Sequence, residues 1–464
     1  MPKATRSEPL AYAAVRRGDD TKGQPPVDDA TALLVTVTGR DRPGVTSALC
    51  TALDSQGARI LDMEQVVIRD RLVLGILTSL GADEDATRAA LVDCATPLGV
   101  TVEFESVGAR RPERARVRHH VTVLGQPLRA GALAAITGAI AGCGANIDRI
   151  VRLSRYPITS FELVVSGGDP GQLRRDLAAE AAAQHVDVAV QRATLYRRAK
   201  RLIVLDVDST LVQGEVIELL AAHAGRADEV AEITARAMTG ELDFEASLRE
   251  RVALLDGVPV AMLEHVRDHL VLTPGAQTLV RTLRRLGYVL AVVSGGFTAI
   301  TDLLVDQLGL DYAAANVLDV RDGVLTGQLV GPIVDRSAKA DWLARFAADA
   351  GVPLSQTVAV GDGANDLDML GRAGLGIAFN AKPIVREAAD TVVSVPYLDA
   401  ILFLLGITRE EIEDADAEDP AYVPAPRVRV PEDTASQVGW GAEANPGSVR
   451  PEANPGSVGP EATR

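Results

Sequence analysis

Asp206-Val207-Asp208-Ser209-Thr210 places two carboxylates two residues apart, directly after the apolar run Leu202-Ile203-Val204-Leu205. If that run is a strand, the acids sit on the loop at its carboxyl end, where open α/β sheets gather their ligands. Such a pair can supply one group that attacks or holds a cation and another that moves a proton. A second apolar run, Val289 to Val293, ends in Ser294-Gly295-Gly296. A hydroxyl beside two glycines lets backbone N–H groups come close to an anion. A third run, Val358 to Val360, ends in Gly361-Asp362-Gly363-Ala364-Asn365-Asp366. An acid-rich loop of this kind suits a hard, oxygen-preferring cation such as Mg2+. Lys339, in the stretch Arg336-Ser337-Ala338-Lys339-Ala340, adds a cation between the second and third loops in the chain.

These residues need a scaffold that sets several strand ends side by side. From about 199 to 407 short continuous apolar runs alternate with helical sequence, which predicts a parallel sheet covered on both faces. The alternation stops between about 215 and 270, where the sequence is helical only and predicts an inserted cap. Upstream, two segments resemble each other: Leu34-Val35-Thr36-Val37-Thr38-Gly39 opens one and His120-Val121-Thr122-Val123-Leu124-Gly125 the other. Each predicts strand, helix, strand, strand, helix, strand, giving α+β modules over 29–106 and 117–196 joined by the basic linker 107–118. Residues 1–28 are polar and unpatterned. From 408 onward an acidic run leads into Pro-rich sequence with a duplicated EANPGSV, and both ends are expected to be disordered. The predicted fold class is α/β, a Rossmann-like parallel sheet with a helical cap, preceded by two ferredoxin-like modules.

The 464 residues are 47% apolar and 24% charged, the proportions of a globular protein, and only 3% aromatic. The net charge of −16 argues against binding to nucleic acid or an anionic membrane. Cys50, Cys94 and Cys143 are too few for a disulfide framework and lack metal-ligand spacing. The uncharged stretch 130–147 contains Gly131, Gly138, Gly142 and Gly144 and predicts a small-residue helix and loop, not a membrane span. With no signal-peptide-like run at the N-terminus, a cytoplasmic location is expected. No GxxxxGK[ST] motif occurs, so a P-loop kinase is not supported.

In this order, and each after an apolar run, DVDST, SGG, Lys339 and GDGAND resemble the haloacid dehalogenase superfamily of phosphatases. The DKTGT loop of P-type ATPases is absent. Glu215, Met238-Thr239-Gly240, Phe244 and Ser247-Leu248-Arg249-Glu250-Arg251 narrow the resemblance to phosphoserine phosphatases. It implies that Glu215 binds the substrate ammonium and Arg251 its carboxylate. It further implies Asp206 as nucleophile and Asp208 as acid and base, with Ser294, the Gly295 N–H and Lys339 on the phosphate. Mg2+ would be held by Asp206, the Asp208 backbone carbonyl and Asp362. Asp366 would orient Lys339 or metal-bound water, and Asn365 would reach phosphate or substrate. The two upstream modules resemble ACT domains, which often bind amino acids. Gly39-Arg40-Asp41-Arg42-Pro43-Gly44-Val45 matches their first-loop signature and makes Asp41 and Gly44 a candidate effector site. The second copy departs from it with Gly125-Gln126-Pro127-Leu128-Arg129-Ala130-Gly131, which points to a role in dimer packing. Paired ACT modules before such a domain resemble the mycobacterial type of serine-synthesis enzyme, implying a homodimer. Two alternatives stay open: another small phosphomonoester as substrate, or an amino-acid-sensing regulator with a vestigial site, against which the intact motifs speak.

Overall fold

A computed structural model describes residues 32–79, 83–108, 117–194, 197, 199–238 and 241–420. The expected N-terminal tail 1–28, the expected C-terminal tail from residue 421 onward, most of the basic linker, Thr239 and Gly240 lie outside the described residues. The chain divides into two compact units, the first ending at Val117 and the second beginning at Arg118.

The first unit runs β1 (Ala32–Arg40), α1 (Val45–Ser55), β2 (Arg59–Ile68), β3 (Arg71–Ser79), α2 (Glu84–Leu98) and β4 (Val100–Val107). Its antiparallel sheet has the order β2-β3-β1-β4. Alternation decides the covered face: Leu33, Val35 and Val37 of β1 and Leu72, Leu74 and Ile76 of β3 are buried against Leu49, Leu53 and Leu91 of the helices.

The second unit opens with the same arrangement: β5 (Arg118–Gly125), α3 (Ala130–Gly142), β6 (Ala145–Ser154), β7 (Thr159–Gly167), α4 (Pro170–Gln184) and β8 (Asp187–Arg192), in the order β6-β7-β5-β8. The uncharged stretch is α3 followed by a strand, with Ala132, Ile136 and Ile140 packed on this sheet. Among the described residues no helix is long and apolar enough to cross a membrane.

Next come β9 (Leu202–Leu205), the helices α5 (Val216–His223), α6 (Ala227–Met238), α7 (Phe244–Ala253), α8 (Ala261–Asp268) and α9 (Ala276–Arg285), then β10 (Val289–Phe297), α10 (Thr298–Leu308), β11 (Tyr312–Arg321) and β12 (Val324–Val330). The chain continues through α11 (Arg336–Asp349), β13 (Thr357–Gly361), α12 (Leu367–Arg372), β14 (Gly376–Phe379), α13 (Pro383–Ala388), β15 (Thr391–Val393), α14 (Ala400–Leu404) and α15 (Arg409–Ala417). The strands form one seven-stranded sheet, β12-β11-β10-β9-β13-β14-β15, parallel except for β12. Every residue of β9 is buried, which only a strand covered on both faces requires, and explains its unbroken Leu-Ile-Val-Leu. Its neighbours are β10 and β13, so the three loops singled out above leave adjacent strands at the same edge.

Helices α5 to α8 interrupt the strand alternation. The chain leaves and returns through a narrow neck, where Val212 bridges Leu272 in antiparallel fashion. The Gln213 N–H donates to the Val271 carbonyl at 2.8 Å and the Thr273 N–H to the Leu211 carbonyl at 3.0 Å.

The tail expected from 408 is folded at its start. The acidic run folds as α15: Thr408 and Glu411 form a capping box, Ile412 is buried, and Asp416 pairs with Arg281 and Arg285 of α9. Asp416 and Asp419, two of the charges that suggested disorder, are paired with arginines far upstream.

Within this unit β8 packs beside β15, and the buried Asp187 accepts the Ser394 N–H at 2.6 Å. Burial raises the Asp187 carboxyl to about 6 against a backbone bond that lowers it. The native state therefore holds an extra proton between about pH 4 and pH 6, and this group's contribution to stability is lost as pH rises through that window. Asp187→Asn keeps an acceptor and drops the charge. Near neutral pH it should raise stability by at most about 2–3 kcal/mol, with little effect near pH 4. Urea unfolding at the two pH values measures this; an equal effect at both would mean the carboxylate is not strained.

Candidate active site

The loop after β9 carries the nucleophile candidate. The Asp206 N–H donates to the Val360 carbonyl of β13 at 2.9 Å, and its Oδ1 accepts the Val207 N–H at 2.7 Å. Only 3% of Asp206 is exposed. Ser209 turns the loop with φ 58, a conformation costly for a residue with a Cβ and typical of sites where positioning outweighs strain.

Lys339, on α11, is fully buried. Its Nζ lies 2.8 Å from Asp206 Oδ1 and 2.7 Å from Asp366 Oδ1. Burial works against its charge, but these two carboxylates reverse that and hold the ammonium above its ordinary range. The other Asp366 oxygen accepts the Gly363 N–H at 2.9 Å, so both its oxygens are engaged. Gly361 must be glycine, since a Cβ there would overlap the Asp366 carboxyl.

Asp206, Asp362 and Asp366 bring carboxylate oxygens within 4.8 Å of one another. Burial, and then repulsion from Asp366, raises the Asp206 carboxyl well above its usual range and Asp362 to about 7. Lys339 alone cannot balance this group. An all-oxygen, over-negative, enclosed set fits a hard divalent cation. Asp206 and Asp362 each keep an oxygen with no hydrogen bond among the described residues, while Asp366 does not.

Asp208 plays a different part. Its Oδ2 accepts from Ser294 Oγ at 2.9 Å, and its Oδ1 accepts the Val216 N–H, at the start of the cap helix α5, at 2.9 Å. One carboxylate thus ties the SGG loop to the cap. Ser294 Oγ also accepts the Gly296 N–H at 2.7 Å, and a Cβ on Gly296 would lie 2.8 Å from the Asp208 carboxylate. Asn365 is half-buried, with its amide oxygen folded against Gly363.

In the cap, Glu215 precedes α5 and Arg251 lies buried on α7, with Nη1 3.4 Å from Glu215 Oε2. Burial raises the Glu215 carboxyl and Arg251 opposes that rise. Phe244, the first residue of α7, reaches so close to Gly295 that a Cβ there would sit 3.0 Å from its ring. The cap therefore rests directly over the SGG loop.

The sequence of a phosphoserine phosphatase from Streptomyces coelicolor is 58% identical over 392 residues, covering 84% of this chain and 95% of that protein. The chain belongs to the phosphoserine phosphatase family. A phosphoserine phosphatase of Mycobacterium tuberculosis is 53% identical over 87% of this chain and 99% of its own length. Residues 203–371 match the haloacid dehalogenase-like hydrolase family, and 31–105 and 117–191 match ACT domains. The unliganded structure of a probable phosphoserine phosphatase from Vibrio cholerae superposes with a TM-score of 0.51 at 37% identity, covering 64% of this chain and 88% of that one.

Two residues of this phosphoserine phosphatase-like site escaped the sequence reading. Thr210 Oγ1 donates to Asp362 at 3.3 Å and its carbonyl accepts from Thr273 Oγ1 at 2.7 Å; its place in DVDST was the available signal. Asn316, buried on β11, donates to the Gly295 carbonyl and accepts the Val334 N–H, both at 2.8 Å, and no local pattern marks it. In the first unit, a pocket of about 360 Å³ is lined by Thr38, Gly39, Arg71, Leu72, Val73, Gly99 and Thr101. Asp41 and Gly44 lie on the exposed loop beyond β1 and do not line it.

Proposed function

We propose that this chain hydrolyses O-phospho-L-serine to L-serine and phosphate through a phospho-aspartyl intermediate, the last step of serine biosynthesis. The observation that carries the reading is the Glu215–Arg251 pair, tied through Asp208 to the SGG loop: a carboxylate and a guanidinium for the two ends of a zwitterion.

Asp206 attacks phosphorus while the bond to the serine oxygen breaks. Asp208 gives that oxygen its proton, then takes one from the water that attacks the phospho-aspartate and frees Asp206. Ser294, the Gly295 N–H and Lys339 hold the non-bridging oxygens, where charge persists through the transfer. Asp206, Asp362 and the Asp208 carbonyl would hold Mg2+, which when bound neutralises phosphate charge that would otherwise repel the nucleophile. Asp366 keeps Lys339 in place from behind, and Asn365 closes the phosphate side. In this reading the enzyme is a cytoplasmic homodimer, and an amino acid binds the first ACT module around Asp41 and Gly44.

Every phosphomonoester presents the same phosphate, so choice among substrates falls to the cap. An arginine fork matches the two oxygens of a carboxylate, and a hydrogen bond to a charged group contributes about 1.5–3 kcal/mol, roughly 10- to 150-fold. Arg251→Ala should therefore cut kcat/KM for phosphoserine by about that factor and spare an aryl phosphate. Equal losses on both substrates would assign Arg251 to cap folding and remove the residue-level basis for phosphoserine.

A further inference from the structure

The cap carries a second group of ligating side chains. His223 ends α5, while His265 and His269 stand one helical turn apart at the end of α8. They are three of the six histidines in the chain. The His223 and His265 rings meet edge-on with centroids 4.7 Å apart, and His265 and His269 are 4.2 Å apart. All three are exposed. Glu215 lies at the other end of α5, about 12 Å away at 1.5 Å per residue, so this group is separate from the substrate site.

The ring nitrogens are already sorted. His223 Nδ1 is 2.8 Å from the Leu219 carbonyl and His269 Nδ1 is 2.7 Å from the His265 carbonyl. A carbonyl only accepts, so each Nδ1 bears a proton, and in the neutral ring Nε2 is then the nitrogen with the lone pair. This is the tautomer that ligates metals, and an Nδ1–H bond to a carbonyl is the usual support behind a metal-bound imidazole.

We propose that His223, His265 and His269 form a site for a late first-row divalent cation, Zn2+ by chemistry, joining α5 to α8. His265 and His269 supply an i, i+4 pair from one helix and His223 the third nitrogen from another, with water completing a four-coordinate shell. Imidazole suits Zn2+, whereas the Asp206–Asp362–Asp366 set suits Mg2+, so the two sites select different ions. The carboxylates already converge, whereas the histidine nitrogens do so only when the exposed His265 ring, which lies between the other two, rotates, a picosecond-to-nanosecond motion that leaves the Nδ1 bonds of His223 and His269 in place. A bound ion pins α8 to the helix that begins at Glu215, which makes cap mobility responsive to it. That last consequence rests on the proposed function; the binding itself does not.

The test is calorimetric titration of the full chain with Zn2+, Mg2+ being in large excess, for wild type, His265→Gln and Asp362→Asn. His265→Gln should weaken the cap equivalent by about tenfold or more and leave Mg2+-dependent phosphate release unchanged. Asp362→Asn should keep that equivalent while phosphate release fails. With Cu2+ as probe, electron paramagnetic resonance should show nitrogen superhyperfine splitting in wild type that a His223→Gln/His265→Gln double variant loses. Unchanged Zn2+ affinity and unchanged nitrogen splitting in the histidine variants would overturn the site. Loss of phosphoserine turnover in none of the variants would count against the proposed function and leave the histidine site standing.

Discussion

Asp206→Asn should lower phosphoserine turnover by at least about 10⁴-fold, more than 5 kcal/mol of transition-state stabilisation, without unfolding the protein. The amide keeps an oxygen for the Val207 N–H but cannot attack phosphorus. Stability should follow the opposite course. Burial, then repulsion from Asp366, raises the Asp206 carboxyl despite Lys339, so a charge at this position is unfavourable to the metal-free fold. The thermal midpoint of the metal-free variant should equal or exceed that of wild type. Turnover within tenfold of wild type would remove Asp206 as nucleophile. A midpoint several degrees lower would mean that the Asp206–Lys339 pair outweighs the repulsion.

Lys339→Met should be nearly as severe and should act on both properties. Methionine matches the lysine stem in length but leaves Asp206 and Asp366 buried with no ammonium between them. Breaking a buried pair from one side costs about 3–5 kcal/mol. If Lys339 holds the phosphate oxygens as proposed, its loss should lower kcat by a further 10²–10³-fold, roughly. The Lys339→Met/Asp366→Asn double variant should regain part of the stability and none of the activity, because only the stability loss comes from the orphaned carboxylate. If the single variant melts within a degree or two of wild type, the carboxylates are protonated in the fold and the ion triad is not what holds the loops together.

The sheet and its loops were legible in the sequence for a physical reason. A strand covered on both faces must be apolar throughout, and Leu202–Leu205 and Val358–Val360 read that way, so the acids and glycines after them mark strand ends. The repeated modules were legible because Leu34–Gly39 and His120–Gly125 resemble each other and each leads through a Gly-containing turn into an Ala/Leu-rich helix. Other features depend on partners distant in the chain. The acidic run after Thr408 reads as solvated tail until Arg281 and Arg285 are set against Asp416, although Thr408 and Glu411 already spelled a capping box. Asn316 carries no periodic or motif signal because its task, bracing Gly295 against Val334, exists only once β10 and β11 are adjacent. The Asp208–Ser294 bond is likewise invisible in sequence, since it joins two loops that each look complete alone.

The neck at Val212 and Leu272 has a consequence for how such an enzyme can change over generations. Because the two crossings are paired with each other, the intervening helices form a cassette whose ends lie side by side. Insertion at such a point leaves the host's hydrogen bonds intact, so the cassette can diverge, lengthen or be exchanged while β9, β10 and β13 keep their loops. Glu215 and Arg251 travel with the cassette, whereas Asp206, Lys339 and Asp362 stay behind. With the roles proposed above, inheritance of reactivity is thereby uncoupled from inheritance of substrate choice, and a grafted cap of different charge is a direct route to a phosphatase for a different metabolite.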